Sequence, residues 1–369
     1  MITVASLIFS ITMLSLQLAS SQFGPRVLGN FMRDRSNQIV LGTFISTFLY
    51  CLFVLRSVRG LDGSSFVPHL SVAFGVVLAA ASVAVLIYFI HHIATSIRVE
   101  TLLARLSEEG CAAVDRLFPE RLGHEPGDAS EEMDLQRLHD TFEGDSRKVA
   151  ADSGGYVQNI GSDALMRIAT ENDLVVRIDA PPGRFVTQGF CVITAYPRAR
   201  VSDEIEEDLR GTVVIGRSRT PYQDLDFAIR RIVELAQRSL SPGINDPTTA
   251  LYCIDRLGEV LARLASRDIP SPKRFDKGGQ LRVATEVFIL EDVICRAFAA
   301  IARYGISDAD VVTRLVETLE QLETSCPPAA RHAVAVLREQ VLIASQSPAI
   351  HAFDRKILSD LQNATAKKS

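Results

Sequence analysis

The sequence predicts a membrane α-helical bundle followed by an α+β region outside the bilayer, in which a small β barrel or sandwich precedes a mostly helical domain. Three observations carry this expectation. Hydrophobicity is concentrated at the front of the 369-residue chain. A block of short β-branched runs and turn signals follows an acidic stretch, and beyond it helical spacing recurs between Pro, Gly, Ser and Asp boundaries.

The membrane elements come first. Ile2 to Leu18, Ile39 to Leu55 and Leu70 to Ile90 carry no charge, and each is near the roughly 20 residues a helix needs to cross a bilayer. They place spans at about 2–20, 37–55 and 68–94 within a membrane region 1–95. A cleaved signal peptide is disfavoured, because no Lys or Arg precedes the first run, no small-x-small cleavage site follows it, and two further spans come after. The loop after the first span holds Arg26, Arg33 and Arg35, while the next holds Arg56 and Arg59. Basic residues resist translocation, so the first loop and everything after the third span are expected in the cytoplasm, with the protein multi-pass in the inner (cytoplasmic) membrane. The spans lack the charged residue that a proton- or ion-coupled transporter uses. Thr43, Thr47 and Tyr50 share one helix face, as do Gly75, Ala79 and Ser82, and such faces favour helix packing over pore lining.

The stretch "HHIATSIRVETLLARLSEEGCAAVDRLF" predicts a helical stalk over 96–122, ending at Pro119. An acidic linker, 123–153, follows. Over 154–202 the runs "YVQNI", "LVVRI" and "FCVITAY" predict the β module, with Ser162 capping a short helix and Pro182-Gly183 making a turn. Across 203–369 helices are expected at Asp224 to Leu240, Thr248 to Ser266, Leu281 to Arg303, Asp308 to Glu323, Ala329 to Ala344 and His351 to Asn363.

Several chemistries find no support. The six cysteines lie far apart without C-x-x-C spacing, which argues against disulfides and zinc. A net charge of -5 without a basic block argues against nucleic acid. His91 and His92, adjacent on a helix, point about 100° apart and cannot chelate one ion. No nucleophile elbow, phosphate loop or H-E-x-x-H motif appears, so no catalytic residue, metal or cofactor is expected.

The densest stretch is "RSLSPGINDPTTALYC", Arg238 to Cys253. Read as structure, Pro242 ends one helix, Gly243 permits a reversal, Asn245 or Asp246 caps the next helix and Pro247 opens it. Read as a site, Asp224, Arg231 and Arg238 recur every seven positions along one helix face, while Thr248 and Thr249 add hydroxyls at the following N-terminus. Asp246 opposes an anion there and, with Asn245, suits a cation instead. Arg219, in "GRSRTPYQD", joins the candidates, and the pair Arg219 and Asp224 is expected to fold back and lock the Pro-Gly-Ile-Asn-Asp-Pro turn. The candidate ligand-binding set is therefore Arg219, Asp224, Arg231, Arg238, Asn245, Asp246, Thr248 and Thr249.

The segments "SSQFGPRVL", "LGTFISTFLY", "YFIHHIA", "SGGYVQNI" and "GRSRTPYQDLDFAIRRIVELAQRSLSPGINDPTTALYCIDRL" together resemble the predicted bacterial membrane proteins grouped as domain of unknown function 2254 (DUF2254). The resemblance implies a four-span protein, within whose second span this chain would begin, and a cytoplasmic soluble domain; it implies no activity. "SGGYVQNI" with "PPGRFVTQG" is also similar to biotinyl-lipoyl barrel-sandwich hybrids, whose carriers need an exposed lysine. Residues 149–200 contain none, so a structural or docking barrel is expected. The leading functional expectation is a non-enzymatic, membrane-anchored module with a cytoplasmic sensory or scaffold domain that binds a small ligand, ion or protein. Small residues in the spans suit a homo-oligomer in the lipid bilayer. The alternatives are a homo-oligomeric channel or transport component gated by the soluble domain, and a membrane-bound hydrolase.

Overall fold

A computed structural model describes residues 35–57, 59–61, 64–66, 68–96, 98–118, 142, 144–346 and 357–360, with isolated helical positions between 3 and 17. Apart from those positions, the span expected at Ile2 to Leu18, the loop with Arg26 and Arg33, most of the 123–153 linker and most of the helix expected over His351 to Asn363 lie outside the described residues. The chain forms two compact units, Met1–Arg105 with Pro242–Asn245, and Leu106–Ser241 with Asp246–Ser369.

In the first unit, α1 (Arg35–Ser57) and α2 (His69–Ser96) are joined by an antiparallel hairpin, β1 (Arg59–Leu61) and β2 (Ser64–Phe66). Within them, Gln38–Ser57 and His69–His92 are 20 and 24 residues long and apolar enough to cross a membrane. At 1.5 Å per residue they extend about 30 and 36 Å, matching a hydrocarbon core of roughly 30 Å. Their outer faces leave Ile39, Phe53, Leu55, Val76, Val77 and Ile87 exposed, a pattern that lipid, not water, accommodates. The seam between them uses the small and hydroxyl faces seen in the sequence. The Tyr50 hydroxyl donates to the Ser71 carbonyl (3.1 Å) and its ring meets Phe74 edge-on at 5.4 Å. Ser82 and Thr47 are both buried, with their hydroxyls 3.3 Å apart. Val40, Phe44 and Phe89 fill the remainder.

In the second unit, α3 (Val99–Leu117), which enters from the first, does not stand off as a stalk. Ser107 donates to Glu259 (2.8 Å), Asp115 takes two hydrogen bonds from Arg263 (both 2.7 Å), and Gly110 lies so close to Val260 that a Cβ would come within 3.0 Å of it. Leu106, Ala113 and Val114 are buried, so the helix is part of the helical core.

The β region is larger than its expected 154–202 limits. A five-stranded sheet runs in the order β3 (Arg147–Ala150), β7 (Cys191–Tyr196), β5 (Val175–Ile178), β10 (Leu281–Ala284), β9 (Lys273–Phe275). A three-stranded antiparallel sheet runs β6 (Phe185–Val186), β4 (Gly155–Ile160), β8 (Val213–Gly216). Two helices, α4 (Ser162–Glu171) and α5 (Asp203–Gly211), complete a shared core that includes Val149, Val157, Leu165, Val176, Ile193 and Leu209. The end of the expected linker is thus strand β3, and the expected helix at Leu281 is strand β10, which pairs parallel with β5 (Val283 with Val176, Ala284 with Arg177). Tertiary pairing overrides local propensity here, since every residue of β10 is buried between two partners. Gly161 rather than Ser162 occupies the N-cap of α4, without a side-chain cap bond.

The remaining helices are α6 (Leu225–Ser239), α7 (Pro247–Ala265), α8 (Leu290–Gly305), α9 (Ala309–Ser325) and α10 (Pro328–Ala344). Apart from the late start of α8, they fall within a residue or two of expectation, because capping chemistry is local. Asp224, Asp246 and Asp308 each accept a hydrogen bond from the backbone N–H three residues on. α6 packs on α7 and α8, α7 on α9, and α10 on α8 and α9. Ile232, Leu257, Phe298, Leu315 and Val334 are fully enclosed in this layer. Burying each such side chain contributes about 1.5–3 kcal/mol.

Candidate functional site

The structure distributes the eight sequence candidates instead of gathering them. Asp224 is only 4% exposed, and its carboxylate caps α6 at Phe227 N (2.9 Å) while accepting two hydrogen bonds from Arg219, at 2.7 and 2.8 Å. The pair does not lock the Pro-Gly-Ile-Asn-Asp-Pro loop. It sits against the Pro182-Gly183 turn, where Gly183 has φ +91° and a Cβ would collide with the Asp224 carboxylate. The reason is length: fourteen helical steps separate Asp224 from Arg238, about 21 Å along the axis, so one residue cannot serve both ends of α6. Arg231, midway, is buried and pairs with Glu109 of α3.

At the far end, Arg238 is half-buried, and its carbonyl accepts from the Ser241 hydroxyl (2.6 Å) and Ser241 N (3.1 Å). Asp246 N donates to the Ser239 carbonyl at 2.8 Å. The left-handed residue of the loop is Asn245 (φ 50°), and not Gly243 as the sequence suggested. Asn tolerates this region, so the reversal needs no glycine. Asp246 caps α7 at Thr249 N (3.1 Å) and accepts the Thr249 hydroxyl at 2.5 Å, which spends both groups on each other. Asn245 and Thr248 are exposed.

The residues that do converge lie on the outer face of the five-stranded sheet. Pairing across strands aligns Lys148 of β3 with Thr194 of β7, Thr194 with Arg177 of β5, and Arg177 with Ala284 of β10. Directly paired residues share a face, so this row runs across four strands while their neighbours Val149, Ile193, Val176 and Val283 point into the core. A cavity of about 470 Å³ opens over the row, within the range of small-molecule sites. Asp179, just beyond β5, organises it. One carboxylate oxygen accepts Arg177 Nε (2.7 Å), the other accepts the Thr194 hydroxyl (2.6 Å) with the Cys191 thiol 3.4 Å away, and its carbonyl accepts Arg184 Nη1 (2.8 Å). The guanidinium of Arg177 lies over the Phe142 ring at 5.0 Å, and that of Arg184 over Phe190 at 5.2 Å.

Burial, more than any neighbouring charge, pushes the Cys191 thiol above its ordinary range, so it is protonated at neutral pH and a poor nucleophile. Among the described residues no three His, Cys, Asp or Glu side chains converge as a metal site. Sequence reasoning passed over this cleft. Its signal was present as the alternation in "VVRID", where Arg177 and Asp179 fall on one face, but the cross-strand partners lie far along the chain.

Two apolar helices long enough to span a bilayer, together with an α+β unit carrying a charged cleft, define a membrane protein with a substantial region outside its spans. The sequence profile of the family described as "Predicted membrane protein (DUF2254)" matches residues 1–321, and the chain belongs to that family. It is 34% identical over 366 residues to uncharacterised proteins of Mycobacterium tuberculosis and Mycobacterium bovis, covering 97% of this chain and 68% of each relative. No solved structure matches.

Proposed function

We propose that this protein is a non-enzymatic, membrane-anchored binding module whose soluble unit takes a small ligand in the cleft over the five-stranded sheet. The observation that carries the reading is the row Lys148, Thr194 and Arg177 beneath a cavity of about 470 Å³, held in place by Asp179. Binding fits better than catalysis, because the Thr194 hydroxyl is donated to Asp179 and the Cys191 thiol is held protonated. The channel alternative is weakened by Thr47, which is 2% exposed and packed on Ser82 between helices instead of lining a path. Basic residues near the spans support a cytoplasmic soluble unit.

Thr285 lines the cleft without belonging to the core, so Thr285→Trp should block it and leave the fold intact. A metabolite library screened by thermal shift on the detergent-solubilised protein should contain compounds that stabilise the wild type and not Thr285→Trp. Identical profiles for the two proteins would remove the cleft from consideration. In liposomes, Thr47→Leu should leave conductance unchanged.

A further inference from the structure

We infer that the ligand of this cleft is a small water-soluble organic oxyanion, a carboxylate or phosphate monoester, gripped by Arg177 and Lys148 with its body against Phe190. This rests on the cleft being a binding site, and adds the chemical class of what it binds. Arg177 spends only Nε, on Asp179, and stacks on Phe142; its two terminal nitrogens donate no hydrogen bond to the described residues. A guanidinium pinned at one edge and on one face, with its fork unspent, is pre-organised for bidentate recognition of a planar carboxylate or a phosphate. Lys148 stands two strands away in the same cross-strand row, about 10 Å at the backbone, and makes no ion pair with a described residue. It is exposed at the rim, so its long chain can close on an anion held by Arg177.

The acidic groups nearby offset this charge only in part: Asp179 pairs with Arg177 (2.7 Å) and Glu286, 65% exposed, lies 3.7 Å from Arg184, so Lys148 leaves the cleft with a net positive charge. Phe142 is buried beneath Arg177, while the partly exposed Phe190 gives the cleft an apolar wall beside its cationic row, which fits an anion with an organic body better than inorganic phosphate alone.

Isothermal titration of the detergent-solubilised chain with benzoate and with phenyl phosphate, against benzyl alcohol and benzylamine, tests the assignment. At least one anion should bind saturably, and Arg177→Lys and Lys148→Gln should each weaken it about tenfold or more while melting temperatures hold. Dihexanoyl phosphatidate should bind at least about tenfold more weakly than the better soluble anion; the reverse order overturns the water-soluble source in favour of a lipid headgroup. Equal binding of benzyl alcohol or benzylamine, or unchanged anion affinity in both variants, overturns the oxyanion class while leaving the cleft a binding site. If none of the probes binds, the inference fails, and the broader reading then stands or falls on the library comparison with Thr285→Trp.

Discussion

At the scale of single residues, Asp224 shows how one carboxylate joins two parts of a fold. It caps α6, takes the fork of Arg219, and fills the space left by the missing side chain of Gly183. Asp224→Ala removes the cap and two of the hydrogen bonds of Arg219, which keeps only Asp226 at 3.1 Å, so it should cost about 1–3 kcal/mol. Gly183→Ala should cost about 2 kcal/mol, from a left-handed backbone and from collision with that carboxylate. Because the collision partner is gone in the double variant, the two losses should fall short of additivity by about 1 kcal/mol in urea unfolding of the detergent-solubilised protein. Strict additivity would show that the turn and the cap are independent. The pairing of Arg219 with Asp224 was legible in "RTPYQD", since both lie within a few residues. The contact with Gly183 was not, because nothing local links two positions so far apart in the chain.

At the scale of elements, helix ends followed from local chemistry and strand partners did not. Proline and aspartate placed α7 to within a residue, whereas "LRVA" at β10 reads equally well as the start of a helix and becomes a strand only because β5 and β9 flank it. The cleft was hidden for the same reason: its polar row exists only after β3, β7, β5 and β10 are aligned. Packing between α7 and α9 is open to a direct test. Gly258 lies against Thr318, and a Cβ there would come within 2.6 Å of the threonine methyl. Gly258→Ala gains about 1 kcal/mol of helix propensity but overpacks a stiff, buried neighbour at a cost of about 1–3 kcal/mol. The melting temperature should therefore drop, and Thr318→Ser, which deletes the methyl, should restore it. A rise with Gly258→Ala alone would mean that the helices separate freely.

At the scale of the whole molecule, anchoring and helical content were readable from hydropathy and spacing, because lipid and capping both act on contiguous sequence. The division of the soluble part into a β module and a helical domain was not, since strands from both regions build one sheet. The orientation proposed from the basic residues makes its own prediction. Protease added to intact cells should spare a C-terminal epitope and digest it once the inner membrane is permeabilised, with the protein remaining in the membrane pellet after a carbonate wash. Cleavage of that epitope in unbroken cells would place the soluble unit on the other side.

The parallel strand β10 has a consequence for how the protein is made. Its partner β5 ends at Ile178, and Ala284, Thr285 and Glu286 supply a wall of the cleft. A ribosome must therefore translate past residue 286 before the pocket has all its sides. Nascent fragments that stop earlier have no finished pocket to offer a ligand, so any compound that depends on the whole cleft can rescue only chains whose synthesis has carried them that far.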